Sequence, residues 1–257
     1  MTDGVEQVTK PPAPEPGSHA GHPVEAARQA LVCDGVHLMP AHVTTSCLGV
    51  DERAWDRFRT HWDRLCPDGY ASDQGTCRLR RYGRFAIRAA KGEFVPLPHE
   101  QSFVQPDDSN PLYIGVNRIF EPLTDSFVSA TLFRALLPLL ARIAAVLDDP
   151  AVWNAKVHPF RVRASADAHG LPTPEGRHRD GVTLVSSLLI GRQNAVGGES
   201  SVFDTAGRRL LTTTLSEPGT LLLADDRRTL HSVSPVYPVD RGHPAYRDVL
   251  VVTFSPG

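Results

Sequence analysis

Two side chains with affinity for metal ions, His178 and Asp180, stand one residue apart in EGRHRDG (residues 175–181), between a Pro-rich turn and an apolar run. In an extended segment residues i and i+2 project to the same side, so an imidazole and a carboxylate at this spacing can converge on one ion. A third ligand has to come from elsewhere, and His231, inside the later apolar run TLHSVSPV, is the candidate. Two neutral imidazoles and one carboxylate on one face of an ion leave coordination positions open, the arrangement associated with non-haem Fe(II) oxygenases. Taken singly, the tripeptide would equally be an Asx-type turn with a surface histidine, and His231 a core histidine bonded to a carbonyl. The joint pattern points to a metal.

Arg247 extends this set. It opens YRDVLVVTF (246–254), where alternation places it on the same face as Val249, Val251 and Thr253. An inward guanidinium needs an anion, and its planar fork suits a carboxylate. That anion is either a neighbouring Asp248 or Asp240 in a structural pair, or the far carboxylate of a dicarboxylate co-substrate whose keto-acid end chelates the metal. A second His-x-Asp, His61-Trp62-Asp63, lies in a helical pattern, where residues two apart diverge by about 200°, and is a decoy.

The elements that must position these groups are legible in outline. Residues 1–25 are rich in Pro, Gly and small polar residues and read as a disordered tail, in which His19 and His22 are solvated. Residues 26–257 read as a single domain, with a helical and mixed part (26–155) followed by a β core (156–257) that carries the metal site. Helical spacing of Trp55, Phe58, Trp62 and Leu65 predicts a helix from Val50 to Leu65 with Asp51 as its N-cap. Residues 76–96 alternate basic and apolar in the manner of strands around a turn at Gly83. Residues 126–147 predict one long apolar helix, kinked at Pro138 and stopped by Asp148-Asp149-Pro150. Seven short β-rich runs follow: 160–166, 182–190, 200–204, 209–215, 219–225, 229–236 and 246–254. Helices first and strands second make the class α+β, a sandwich or jelly roll buttressed by N-terminal helices. Gly197-Gly198 reads as a turn or bulge between strands, since no helix follows to make a phosphate cradle.

Composition excludes several partner classes. A net charge of −2 with Lys and Arg spread along 257 residues gives no basic footprint for nucleic acid or an anionic membrane. No apolar stretch reaches the roughly 18 to 20 residues of a membrane span, and MTDGVEQVTK lacks a signal peptide's apolar core, so the expected location is the cytoplasm. Cys33, Cys47, Cys66 and Cys77 are scattered without a C-x-x-C and read as reduced, partly buried thiols. Oligomeric state is not legible.

The run PTPEGRHRDGVTLVSSLLIGRQNAVGGESSVFD (172–204), with LHSVSPV and YRDVLVVTF, resembles the bacterial 2-oxoglutarate- and Fe(II)-dependent dioxygenases typified by L-isoleucine 4-hydroxylase, which hydroxylate free L-amino acids. The resemblance covers residues 155–256 well and RRYGRF (80–85) and VNRIFEPL (116–123) more loosely. It implies a double-stranded β-helix of the cupin-like kind, His178, Asp180 and His231 as iron ligands, and Arg247 on the distal carboxylate of 2-oxoglutarate. The wider superfamily's Arg-x-Ser is here Arg247-Asp248-Val249, and Arg241 in the preceding loop is the fallback. Cofactors are then Fe(II), 2-oxoglutarate and O2, and the products succinate, CO2 and an alcohol. Asp180 favours hydroxylation, because related halogenases free that position for halide. Arg118 and Arg84, in the segments of looser resemblance, are candidates for a substrate carboxylate. The substrate is expected to be an aliphatic, basic or ureido L-amino acid. A cupin-like metal-dependent isomerase or hydrolase, working without 2-oxoglutarate, is the alternative.

Overall fold

A computed structural model of the protein describes residues 23–72, 75–88, 93–99 and 118–257. In chain order the helices are α1 (Pro23–Asp34), α2 (Ala41–Leu48), α3 (Glu52–Arg59), α4 (Gly69–Ser72), α5 (Asp125–Val128) and α6 (Thr131–Ala144). The strands are β1 (Val36–Met39), β2 (Cys66–Pro67), β3 (Cys77–Arg80), β4 (Gly83–Arg88), β5 (Glu93–Pro96), β6 (Val152–Ala164), β7 (Leu184–Gln193), β8 (Ala195–Gly197), β9 (Glu199–Asp204), β10 (Arg209–Thr214), β11 (Leu221–Asp225), β12 (Thr229–Val233), β13 (Val236–Pro238) and β14 (Ala245–Pro256). His19 and His22 of the expected tail lie outside the described residues, as do Val116 and Asn117.

The strands form an antiparallel major sheet in the order β1-β11-β7-β14-β6-β3-β2, with β4 also on β6 and β5 on β4. Smaller sheets, β10-β9-β12 and β13-β8, complete the two-sheet jelly roll expected from the strand runs. β14 is central: its register pairs Val251 with His158 on β6 and with Ser187 on β7. Alternation then gives the major sheet two buried faces. Leu250, Val252 and Phe254 of β14, with Trp153, Ala155 and Val157 of β6, pack against Leu132, Leu136, Leu140 and Ile143 of α6 and the other helices. Arg247, Val249, Val251 and Thr253 face the opposite way, toward the minor sheet. No helix among the described residues is long and apolar enough to cross a membrane.

Asp51 caps α3 as expected, its carboxylate accepting the Ala54 N–H at 2.8 Å. The helical pattern to Leu65 continues as a 3₁₀ turn, Thr60–Arg64. In the decoy motif the two side chains diverge, His61 packing on Phe58 and Phe127 while Asp63 meets Arg161.

Several boundaries differ from expectation. The chain is helical from Pro23, because proline at a helix's first turn lacks only an N–H that has no partner there. The long helix of 126–147 is two, since Ala130 takes an extended conformation (φ −61°, ψ 132°) and caps α6 anew. α6 accommodates Pro138 and ends at Ala144, short of the Asp148 stop. Gly83 opens β4 instead of making the turn; a Cβ there would lie 2.6 Å from Leu123 Cδ1, so its bareness serves packing. Among the cysteines, Cys47 and Cys66 are partly buried while Cys33 and Cys77 are exposed, all four as free thiols.

Candidate metal and co-substrate site

His178 and His231 are brought together by backbone. The His178 N–H donates to the His231 carbonyl at 3.0 Å, and the His231 N–H to the His178 carbonyl at 2.8 Å. This isolated antiparallel pair ties the loop before β7 to β12. Directly opposed residues of such a pair project to the same side, and the two rings sit 4.3 Å apart. Asp180, two residues on, joins them, and ligating atoms of the three residues all lie within 4.8 Å of one another.

The loop is held from below by a residue the sequence did not flag. Asp226, fully buried after β11, accepts the N–H groups of Asp180 and Val182, both at 3.0 Å. Burial first, and then the charge of Asp180, push its carboxyl up to about 6. From above, the Thr173 hydroxyl donates to the Val233 carbonyl (3.1 Å) and accepts the Val233 N–H (2.9 Å).

The donor set fits a divalent iron. A carbonyl can only accept, so His178 Nδ1 carries the proton it gives to the Gly176 carbonyl at 3.0 Å, which leaves Nε2 as the atom free to ligate. Nε2 of each histidine lies 3.9 Å from an Asp180 carboxylate oxygen, too long for a hydrogen bond. Two metal–ligand bonds of about 2.1 Å can close such a gap. Burial, then the neighbouring His178, lower the His231 imidazole to about 4, keeping it neutral as a ligand must be.

The three residues open into a cavity of about 120 Å³ between the sheets. Arg247 lines it, buried at 2% exposure. Neither structural partner considered for it is used. Asp248 points to the other face, in a bidentate pair with Arg161 at 2.8 and 2.7 Å, and Asp240 binds His243 at 2.7 Å. Among the described residues the Arg247 guanidinium has no hydrogen-bond acceptor, and burial, reinforced by Arg192, lowers it to about 10. An arginine so placed suits an incoming carboxylate. Gly198 makes room for it: at φ +65°, a Cβ there would stand 2.9 Å from Arg247 Cδ. The Gly197-Gly198 bulge between β8 and β9 is thus part of the site. Arg241, the fallback, is exposed and off the cavity.

Of the two substrate candidates, Arg118 lines the cavity at 3% exposure. Arg84 does not; it lies half-buried on β4 opposite Lys156, whose side chain takes the lining position instead. Further lining groups passed unnoticed in the sequence: Arg78 and Arg80 on β3, Lys156 and His158 on β6, and Glu175. The signal was there in the period-two spacing of Arg78/Arg80 and Lys156/His158, but alternation alone does not say which face is the cavity. Asp68 anchors this end, 2.8 Å from Arg78 NH2 and 3.6 Å from Arg80 NH1. The Arg80 guanidinium also lies over the Phe120 ring at 3.5 Å and contacts His158 Nδ1 at 2.5 Å.

Comparison with known proteins agrees with this chemistry. Residues 59–253 match the model of the 2OG-Fe dioxygenase family. The chain is similar to a bsmA homolog from Methylobium petroleophilum PM1, with 36% identity, 91% of this chain and 93% of that one covered, and a TM-score of 0.84. It shares its fold with IDO from Bacillus thuringiensis (19% identity, 91% and 99% covered, TM-score 0.75). The same holds for the Fe(II)/α-ketoglutarate-dependent dioxygenase TqaL (20% identity, 91% and 86% covered, TM-score 0.71). A search of curated proteins returns no match. The isomerase or hydrolase alternative is set aside. The His-Asp-His cluster and the family match lead to one conclusion: the chain belongs to the 2OG-Fe dioxygenase family, and is a 2-oxoglutarate-dependent dioxygenase that uses Fe(II), 2-oxoglutarate and O2.

Proposed function

We propose that the enzyme hydroxylates an unactivated C–H bond of a free L-amino acid, with His178, Asp180 and His231 holding the iron and Arg247 the distal carboxylate of 2-oxoglutarate. When bound, iron and 2-oxoglutarate together use O2 to turn C–H into C–OH, with succinate and CO2 released. The observation that carries the reading is the arrangement of one small cavity: a His-Asp-His cluster at one place, and buried guanidiniums at two others.

The chain's own groups have separable tasks. Asp226 keeps the loop of His178 and Asp180 in register, so that the ligating atoms face one another before any ion arrives. Arg247, fixed on a central strand, orients a dicarboxylate so that its keto-acid end points at the cluster; the spacing of the two carboxylates then selects the co-substrate. Arg118, with Arg78 and Arg80, forms a second anionic-group site for the substrate's carboxylate. Stacking on Phe120 and contact with His158 leave Arg80 little freedom, so it binds with little further loss of side-chain entropy. The apolar lining, Val185, Val249 and Val251, excludes water from the space between.

Incubating the protein with Fe(II), ascorbate, 2-oxoglutarate and a panel of free amino acids, aliphatic and basic or ureido, should give a product heavier by one oxygen, with succinate in equal amount. His231→Ala should abolish succinate formation, and full turnover by that variant would sink the ligand assignment. Arg247→Lys should raise the Kd for 2-oxoglutarate by about tenfold or more, since an ammonium cannot reproduce the fork. Asp226→Ala should lower Fe(II) affinity about 10- to 100-fold in protein that stays folded, read by metal titration with circular dichroism as the control.

A further inference from the structure

Arg247 has a second arginine directly beside it. In the register of β14 on β7, Val249 is opposed to Leu189, so an unbroken ladder would set Arg247 against Gly191. It is set against Arg192 instead, because the register shifts between Asp248 and Val249. Leu188 and Ile190 of β7 face the helices, and strict alternation would send Arg192 the same way. The extra residue of the bulge turns it onto the side of Arg247.

Like charges directly opposed weaken a sheet, so the pairing calls for a compensating role. The Arg192 guanidinium is a clamp. Nη1 donates to the Leu215 carbonyl at 3.3 Å, and Nη2 to the carbonyls of Ala195 and Gly197 at 3.0 and 2.9 Å. These bonds fix the end of β8, where the chain turns through Gly197 and Gly198, both at positive φ (77° and 65°). The turn lies between the two arginines: a Cβ on Gly198 would stand 2.9 Å from Arg247 Cδ and 3.4 Å from Arg192 Nη1. Arg192 thereby holds the stretch of backbone against which the Arg247 side chain packs.

Its charge is the second contribution. Carbonyl partners satisfy N–H groups without neutralising a guanidinium, so the positive potential of Arg192 persists at its neighbour. What disfavours a second cation favours an anion, and a carboxylate arriving at Arg247 is attracted by both. Arg192 is not among the residues that line the cavity, so it acts through Arg247 and not by touching the ligand.

We infer that Arg192 is a positioning residue for the co-substrate: it sets Arg247 through the Gly197-Gly198 turn and adds its charge to the same subsite, so that the enzyme selects 2-oxo acids carrying a distal carboxylate. This rests on Arg247 holding the distal carboxylate of 2-oxoglutarate, as proposed above.

The test is anaerobic titration of the Fe(II)-loaded protein with 2-oxoglutarate and with 2-oxopentanoate, which has the same five-carbon chain with a methyl group in place of the distal carboxylate. Both are followed by the charge-transfer band, and the ratio of the two Kd values measures the selection. The wild type should bind 2-oxoglutarate far more tightly. Arg192→Met should reduce the ratio about 5- to 10-fold by weakening 2-oxoglutarate, with 2-oxopentanoate within about twofold. Arg247→Met should remove most of the ratio, and adding Arg192→Met to it should change little more, because the one residue acts through the other. Arg192→Lys, which keeps the charge and loses the fork, should give a smaller reduction, and it carries the test if circular dichroism shows Arg192→Met unfolded. An undiminished ratio in the folded variant, or both acids weakened alike, would overturn the inference while leaving the role of Arg247 intact. A wild type that does not discriminate between the two acids, or an Arg247→Met variant that keeps the full ratio, would overturn the reading of Arg247 and this inference with it.

Discussion

Two reciprocal backbone hydrogen bonds between His178 and His231 are the constraint on which the site depends. They convert two residues far apart in sequence into an opposed pair whose side chains must leave the backbone on one side. Loop closure over such a distance costs entropy that a metal ion, arriving later, does not then have to supply. The jelly roll absorbs it in folding, through β7 to β12 and the long central β14. Asp226 and Thr173 hold the loop from either side with side-chain bonds to its backbone and to that of β12. A preorganised cluster of two imidazoles and a carboxylate is the consequence, suited to an ion that still has positions to spare.

The major sheet explains how such polarity can be buried at all. Its helix-facing side, apolar along β14 and β6 except for the Asp248–Arg161 pair, packs on α6 and supplies stability. The cavity side is freed from that duty and carries arginines, a lysine and a histidine. Each charged group there either has a fixed partner, as Arg78 has Asp68, or is arranged for a ligand, as proposed for Arg247. Period-two alternation thus divides stability and chemistry between the two faces of one sheet.

What was legible in the sequence follows from range. Asp51 as an N-cap, the strand runs after Val157 and the divergence of His61 and Asp63 are local matters, governed by residues a few positions apart. His178 and Asp180 were visible for the same reason, being neighbours on one extended segment. Arg247 was visible because an arginine in an apolar alternation contradicts its surroundings. Asp226 was not, since LADDRR looks like any polar turn; its role is set by hydrogen bonds to residues more than forty positions away. Arg78, Arg80 and His158 alternate visibly, but both faces of their sheet are buried, and only the register with β14 tells which one looks into the cavity. The break between α5 and α6 was hidden by an apolar period that runs through it, and is written in the backbone of Ala130 alone.

The most direct measurement is an anaerobic titration of 2-oxoglutarate into the Fe(II)-loaded protein, followed by visible absorption. A metal-to-ligand charge-transfer band saturating at one co-substrate per chain is expected, because bidentate chelation requires adjacent open positions on an iron held by three side chains. Folded, iron-loaded protein that develops no such band would contradict the three-residue site.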